Sequence, residues 1–75
     1  MRRSEQLTAI IEREGDRYVS LCPGLDIASQ GRTVEEARSN LREAVELFFE
    51  AADASEVERR LHSEVYVTRL DVARG

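Results

Sequence analysis

The stretch "TVEEARSNLREAVELFFEAA", residues 33–52, limits the fold more than any other part of the chain. Thr33-Val34-Glu35-Glu36 is an S/T-x-x-E capping box: the Thr33 hydroxyl can accept the Glu36 amide while the Glu36 carboxylate reaches back to the Thr33 amide. From there Val34, Ala37, Leu41, Ala44, Val45, Phe48 and Ala52 fall on one stripe of a helical wheel, and Glu35, Ser39, Arg42, Glu43, Glu46 and Glu50 fall opposite. A helix with one broad apolar stripe must lay it on another layer. Leu47 and Phe49 sit about 90° or more from the stripe's centre, one on each flank, and need cover from some further surface.

The residues before the helix supply the other layer. "LTAIIE", 7–12, and "YVSLC", 18–22, are rich in aliphatic and β-branched types and are separated by "REGDR", which carries the turn pair Gly15-Asp16. They predict a hairpin. Pro23 cannot donate a ladder hydrogen bond and biases Cys22 away from helix, so the second strand stops there. "LDIASQ", 25–30, alternates Leu25, Ile27 and Ser29 against Asp26, Ala28 and Gln30 and predicts a third strand that Gly31 closes. Beyond the main helix, "DASEVERRLHS", 53–63, predicts a short second helix capped by Asp53 or Ser55, with Val57 and Leu61 inward. "EVYVTRLDV", 64–72, predicts a last strand with Val65 and Val67 on one side and Tyr66, Thr68, Leu70 and Val72 on the other.

The expected class is therefore α+β, a two-layer β-β-β-α-(short α)-β domain spanning residues 1–75. Three sequential antiparallel strands, a helix and a fourth strand most simply give a four-stranded sheet in order 3-2-1-4, the last strand parallel to the first through a right-handed crossover. One main helix covers one face of that sheet. Ile10 beside Ile11, Val19 beside Tyr18 and Leu70 beside Arg69 put apolar groups on both faces, so the second face, with Leu47 and Phe49, invites a partner.

Size points the same way. A 75-residue chain buries only about 60% of the surface its unfolded form exposes and gains from a staple. One cysteine makes no internal disulfide and no Cys/His cluster has metal-ligand spacing, so neither metal nor cofactor is expected and a homo-oligomer, a dimer or higher, is. No apolar run is long enough to cross a membrane, and "MRRSEQLTAI" lacks the apolar region of a signal peptide, which makes a cytoplasmic setting the default. The net charge of -4 and scattered arginines, with no lysine, argue against a nucleic-acid binder.

Each residue type capable of chemistry has a structural reading that competes with the functional one. Cys22 lacks an evident base, since His62, the sole histidine, lies on or after the second predicted helix, and Cys22 reads as a small residue at a strand end. Glu12, Asp26 and Asp71 are the strand carboxylates that a two-metal nuclease would have to gather, and their positions predict no inward acidic cluster. Pro23-Gly24 reads as a turn, and Tyr18 and Tyr66 as sheet aromatics. The expectation is a chain without enzymatic activity whose contacts to a dimer mate or partner run through Leu47, Phe49 and Tyr66.

The segment "LTAIIEREGDRYVSLCPGLDIASQGRTVEEARSNLREAVELFFE" resembles the HicB family of antitoxins. The likeness lies in the charged-Gly turn, the strand running into a proline before Leu25-Asp26, the small polar residues before Gly31 and the "TVEEARSNLREAVELF" helix. It covers residues 7–52 most clearly and suits a short stand-alone form of the family. The resemblance implies a partial ribonuclease-H-like fold and a type II toxin–antitoxin role, in which the chain binds and blocks a small basic HicA-type mRNA-cleaving toxin. Many relatives add a C-terminal helix-turn-helix or ribbon-helix-helix module; "DASEVERRLHSEVYVTRLDVARG" is too short for one, which leaves DNA binding in doubt.

Overall fold

The computed structural model describes residues 5–61 and 64–75. Its elements are β1 (Ile10–Glu14), β2 (Arg17–Cys22), β3 (Ile27–Gly31), α1 (Val34–Ala51) and α2 (Ala54–Leu61). The class is α+β, with a three-stranded antiparallel sheet in order β1-β2-β3 and two helices. The expected fourth strand does not take part in this sheet. Residues 64–72 carry the alternation of a strand but are exposed throughout and form no ladder with the described strands.

Two turns fix the meander. Glu14 pairs with Arg17, so Gly15-Asp16 is a two-residue hairpin loop, and Gly15 adopts φ 66°, the positive value that a type II′ turn needs at its first central residue. The second turn is tied by Leu25 N–H to the Cys22 carbonyl at 3.2 Å and by Asp26 N–H to the Pro23 carbonyl at 3.3 Å. Asp26 sits at φ 57°, a conformation its short polar side chain tolerates, and this kink delays β3 to Ile27. Leu25 thus leaves the expected strand and becomes a core residue of the turn, 1% exposed.

The capping box forms with one change of partner. Thr33 Oγ1 accepts the Glu36 amide at 3.0 Å, but the Glu36 carboxylate accepts the Arg32 amide at 2.9 Å instead of the Thr33 amide. The strand ends so abruptly at Gly31 that the Arg32 N–H is the nearer orphan donor. Ala37, Leu41 and Val45 are the buried residues of α1, with Phe48 half-buried beside them, as the stripe predicts; Val34 at the helix start stays exposed.

At its C-terminal end the central strand turns small side chains to the helix, with half-buried Tyr18 earlier on the same face. Ser20 and Cys22 are buried beneath α1, while Val19 and Leu21 face the other way and remain half-buried. Ser20 Oγ donates to the Ala37 carbonyl at 2.8 Å, which satisfies the hydroxyl and anchors helix to sheet. Small groups here allow a close approach: Gly31, Ser20 and Ala37 meet where a Cβ on Gly31 would lie 2.5 Å from the Ala37 amide nitrogen. Cys22, Leu25, Leu41 and Val45 form the core, with Ile27, Phe48, Phe49 and Leu61 against it.

Candidate protein-binding surfaces

Three surfaces are left uncovered by this arrangement. The first is the outer face of the sheet. The strand register places Ile10 opposite Leu21 and Ala28 opposite Leu21 on the other side, with Val19 between Glu12 and Gln30. Ile10, Val19, Leu21 and Ala28 therefore form an apolar centre with no helix over it, bordered by Glu12, Glu14 and an Arg17 to Gln30 hydrogen bond of 3.2 Å. Alternation alone predicts apolar side chains on this face; what it does not reveal is that the larger pair of the central strand, Val19 and Leu21, lies here. That choice follows from the close helix approach, which demands Ser20 and Cys22 on the inner side.

The second is a groove between the β1 side of the chain and α1, about 940 Å³ in volume. Leu7, Ala9, Leu41, Val45, Phe49 and Leu61 give it an apolar floor, and Arg38, Arg42, Glu43, Glu46 and Glu50 lie along its helix side. Arg42 and Glu46 form an exposed i,i+4 ion pair at 3.6 Å, worth a few tenths of a kcal/mol at most. Leu47 also lines the groove and is 58% exposed. Phe49 is half-buried against the core, its ring centroid 5.8 Å from that of Phe48. The structure thus brings Leu47 and Phe49 to one groove although they leave the helix on different flanks.

The third surface is the segment after α2. Tyr66, Leu70 and Val72 are about four-fifths exposed and Val67 two-thirds, and Tyr66 is not among the residues that line the groove with Leu47 and Phe49. Val65 reaches the body, where its Cγ2 would meet a Cβ on Gly24 at 3.6 Å. Gly24 and Val65 share a smaller cavity of about 200 Å³ with Gln6, Leu7, Cys22 and Arg60.

Arg60, four residues after Glu56, holds α2 in place. Its guanidinium donates to the Leu25 carbonyl at 2.6 Å and to Glu56 at 3.1 Å, and lies 5.3 Å from the centroid of the Phe48 ring. One side chain thereby joins the second turn, α1 and α2. Asp53 caps α2: its carboxylate accepts the Glu56 amide at 2.9 Å and the Ser55 hydroxyl at 2.8 Å. Those two bonds, the amide first, hold its carboxyl below the ordinary value of 3.8, with the Arg59 charge adding to them.

The residues weighed for chemistry are scattered. Cys22 is a free, buried thiol at the end of β2, and His62 lies outside the described residues. Glu12 is on the outer sheet face, Asp26 in the second turn and Asp71 in the exposed segment. Among the described residues no three His, Cys, Asp or Glu side chains are grouped to hold a metal ion, and no helix is long and apolar enough to cross a membrane. Comparison of the chain with protein-family models, curated proteins and solved structures finds no match.

Proposed function

We propose that this chain is a non-enzymatic protein-binding module of antitoxin type, which neutralises a small basic HicA-type mRNA-cleaving toxin by covering its nucleic-acid surface. The observation that supports this reading is the outer sheet face: Val19 and Leu21 of the central strand, both half-buried, point away from the helix into an apolar patch that no described helix covers. Such a patch suits a partner more than a substrate, because it offers area and no enclosed polar group. Glu12 and Glu14 at its border and the net charge of -4 complement a basic ribonuclease. The resemblance to HicB antitoxins adds the chemistry of the partner.

The four-stranded sheet of order 3-2-1-4 belongs to the same proposal. Among the described residues no strand lies beside the far edge of β1, and residues 64–72 keep the alternation of a strand that could fill it. A second reading, a homo-oligomeric scaffold without a toxin, draws on the elongated shape: the Cα radius of gyration is 14.5 Å, against about 11 Å for a compact chain of this length.

Co-expression with any small basic protein encoded beside this gene tests the leading reading. The expected result is a co-eluting complex in which RNA cleavage by the partner is lost, and at least a tenfold weaker complex for Leu21→Asp with the helical circular dichroism unchanged. Absence of such a neighbour, or undiminished cleavage in the presence of this chain, overturns it in favour of the scaffold.

A further inference from the structure

We infer that residues 64–72 of one copy occupy the groove between β1 and α1 of a second copy, adding a fourth strand to the free edge of β1, and that the exchange is reciprocal. The inference rests on the four-stranded part of the proposal above and not on the toxin.

Three features of the structure meet in it. The first is the segment itself: nine residues, β-branched and aromatic, with Tyr66, Leu70 and Val72 on one side and Val65 and Val67 on the other. An isolated extended segment that exposes Leu70 at 82% and Tyr66 at 81% gains nothing from its apolar groups where it lies. The second is the receiving site. The groove of about 940 Å³ lies along the β1 side of the sheet and is floored by Leu7, Ala9, Leu41, Val45 and Phe49. Its wall is formed by Leu7, Thr8 and Ala9, which lead into β1, and no described strand pairs with the outer edge of β1, whose N–H and C=O groups offer main-chain partners to an extended chain. Seated there with Tyr66, Leu70 and Val72 toward α1, the segment also turns Val67 outward to widen the apolar patch of Ile10, Val19 and Leu21.

The third feature decides whose segment fills the groove. The segment is rooted at Val65 over Gly24, and beyond it Tyr66, Leu70 and Val72 are about four-fifths exposed. It lies outside the groove of its own chain. Meanwhile the buried apolar residues among those described are Cys22, Leu25, Ala37, Leu41 and Val45, a thin core for a chain of this size that gains from further burial. A reciprocal exchange removes both defects and doubles the area buried by one strand, toward the roughly 1,200 to 2,000 Å² of a stable interface. It also satisfies two-fold symmetry, since each copy gives the same segment and receives it in the same groove.

Light scattering on the full chain, combined with isotope-filtered NMR on an equal mixture of ¹³C-labelled and unlabelled chains, tests this. The expected results are a mass twice 8.5 kDa, contacts from the Leu70 and Val72 methyl groups of one copy to the Leu41, Val45 and Phe49 side chains of another, and a fall to 8.5 kDa for Leu70→Asp. Should these contacts occur only within a single copy at 8.5 kDa, the exchange is overturned while the four-stranded sheet stands. Should the segment make no contact with the groove in any copy, both fall. Because Leu70 is exposed, loss of the α1 circular dichroism signal in Leu70→Asp is not expected from the isolated body; Tyr66→Arg serves as a second variant with the same predicted fall in mass.

Discussion

Along β3, helix α1 sits so close to the sheet that a Cβ on Gly31 would lie 2.5 Å from the Ala37 amide nitrogen, whereas along β1 the same helix stands off and leaves a groove of about 940 Å³. The closed side is built from small residues and direct hydrogen bonds: Ser20 to the Ala37 carbonyl at 2.8 Å, and the Asn40 side-chain amide to the Gln30 carbonyl at 2.8 Å. The open side is lined by larger apolar groups, the core residues Leu41 and Val45 at its floor with half-buried Phe49 and exposed Leu47 beside them. One helix thus uses one edge to hold the fold together and leaves the other to receive something.

The strongest way to break this contrast is Gly31→Ala. The added methyl meets backbone at 2.5 Å and 2.8 Å, and backbone cannot swing aside as the end of a flexible side chain does. A loss of about 3 kcal/mol is expected, at the upper end of overpacking effects, read from the urea midpoint at unchanged slope. A change under about 1 kcal/mol would show that the helix can lift along β3 as it does along β1.

Ser20→Ala is the milder intervention on the same side. It removes the hydroxyl bridging β2 and α1 but adds no bulk, so about 1 kcal/mol is expected from the lost hydrogen bond. The two variants share Ala37 as a contact and their losses should therefore not add. A double variant whose loss equals the sum of the two singles would show that Gly31 and Ser20 secure the helix independently.

The closed side was legible where its signals are local. Thr33, Glu36 and the stripe of Ala37, Leu41 and Val45 declare themselves within a few turns of chain, and the structure keeps each in its expected role apart from the Arg32 amide as partner of Glu36. The facing of β2 was not legible. By hydrophobicity alone Val19 and Leu21 belong inward, and only the close approach of α1 at Gly31 selects Ser20 and Cys22 in their place. Arg60 was hidden for another reason: its bond to the Leu25 carbonyl joins residues 35 apart, and no short-range pattern reports a contact of that span. The last strand was read from an alternation that is present, yet alternation names a face and not the edge it pairs with. That is why Leu47 and Phe49 could be singled out as residues awaiting cover while the groove they share could not.

The smallest expected effect concerns the far end of the open side, where α2 contributes Val57 and Leu61 to the groove. Asp53 caps this helix, and the Glu56 amide, the Ser55 hydroxyl and the Arg59 charge all favour its ionised form. Its folded-state pKa is thus depressed below the ordinary 3.8, so the capping contribution is fully present above that value and fades as the pH falls through the lowered one. The Glu56 amide proton should report this directly, shifting in an NMR titration with a midpoint below 3.8 as its acceptor is protonated. In Asp53→Asn the side-chain oxygen still accepts the amide, so the cap persists while that titration disappears. A midpoint at or above 3.8 in the unaltered chain would mean that the cap does not hold α2 in solution. The Ser20 to Ala37 bond contains no group that titrates in this range, so acid should loosen the groove before it loosens the seam along β3.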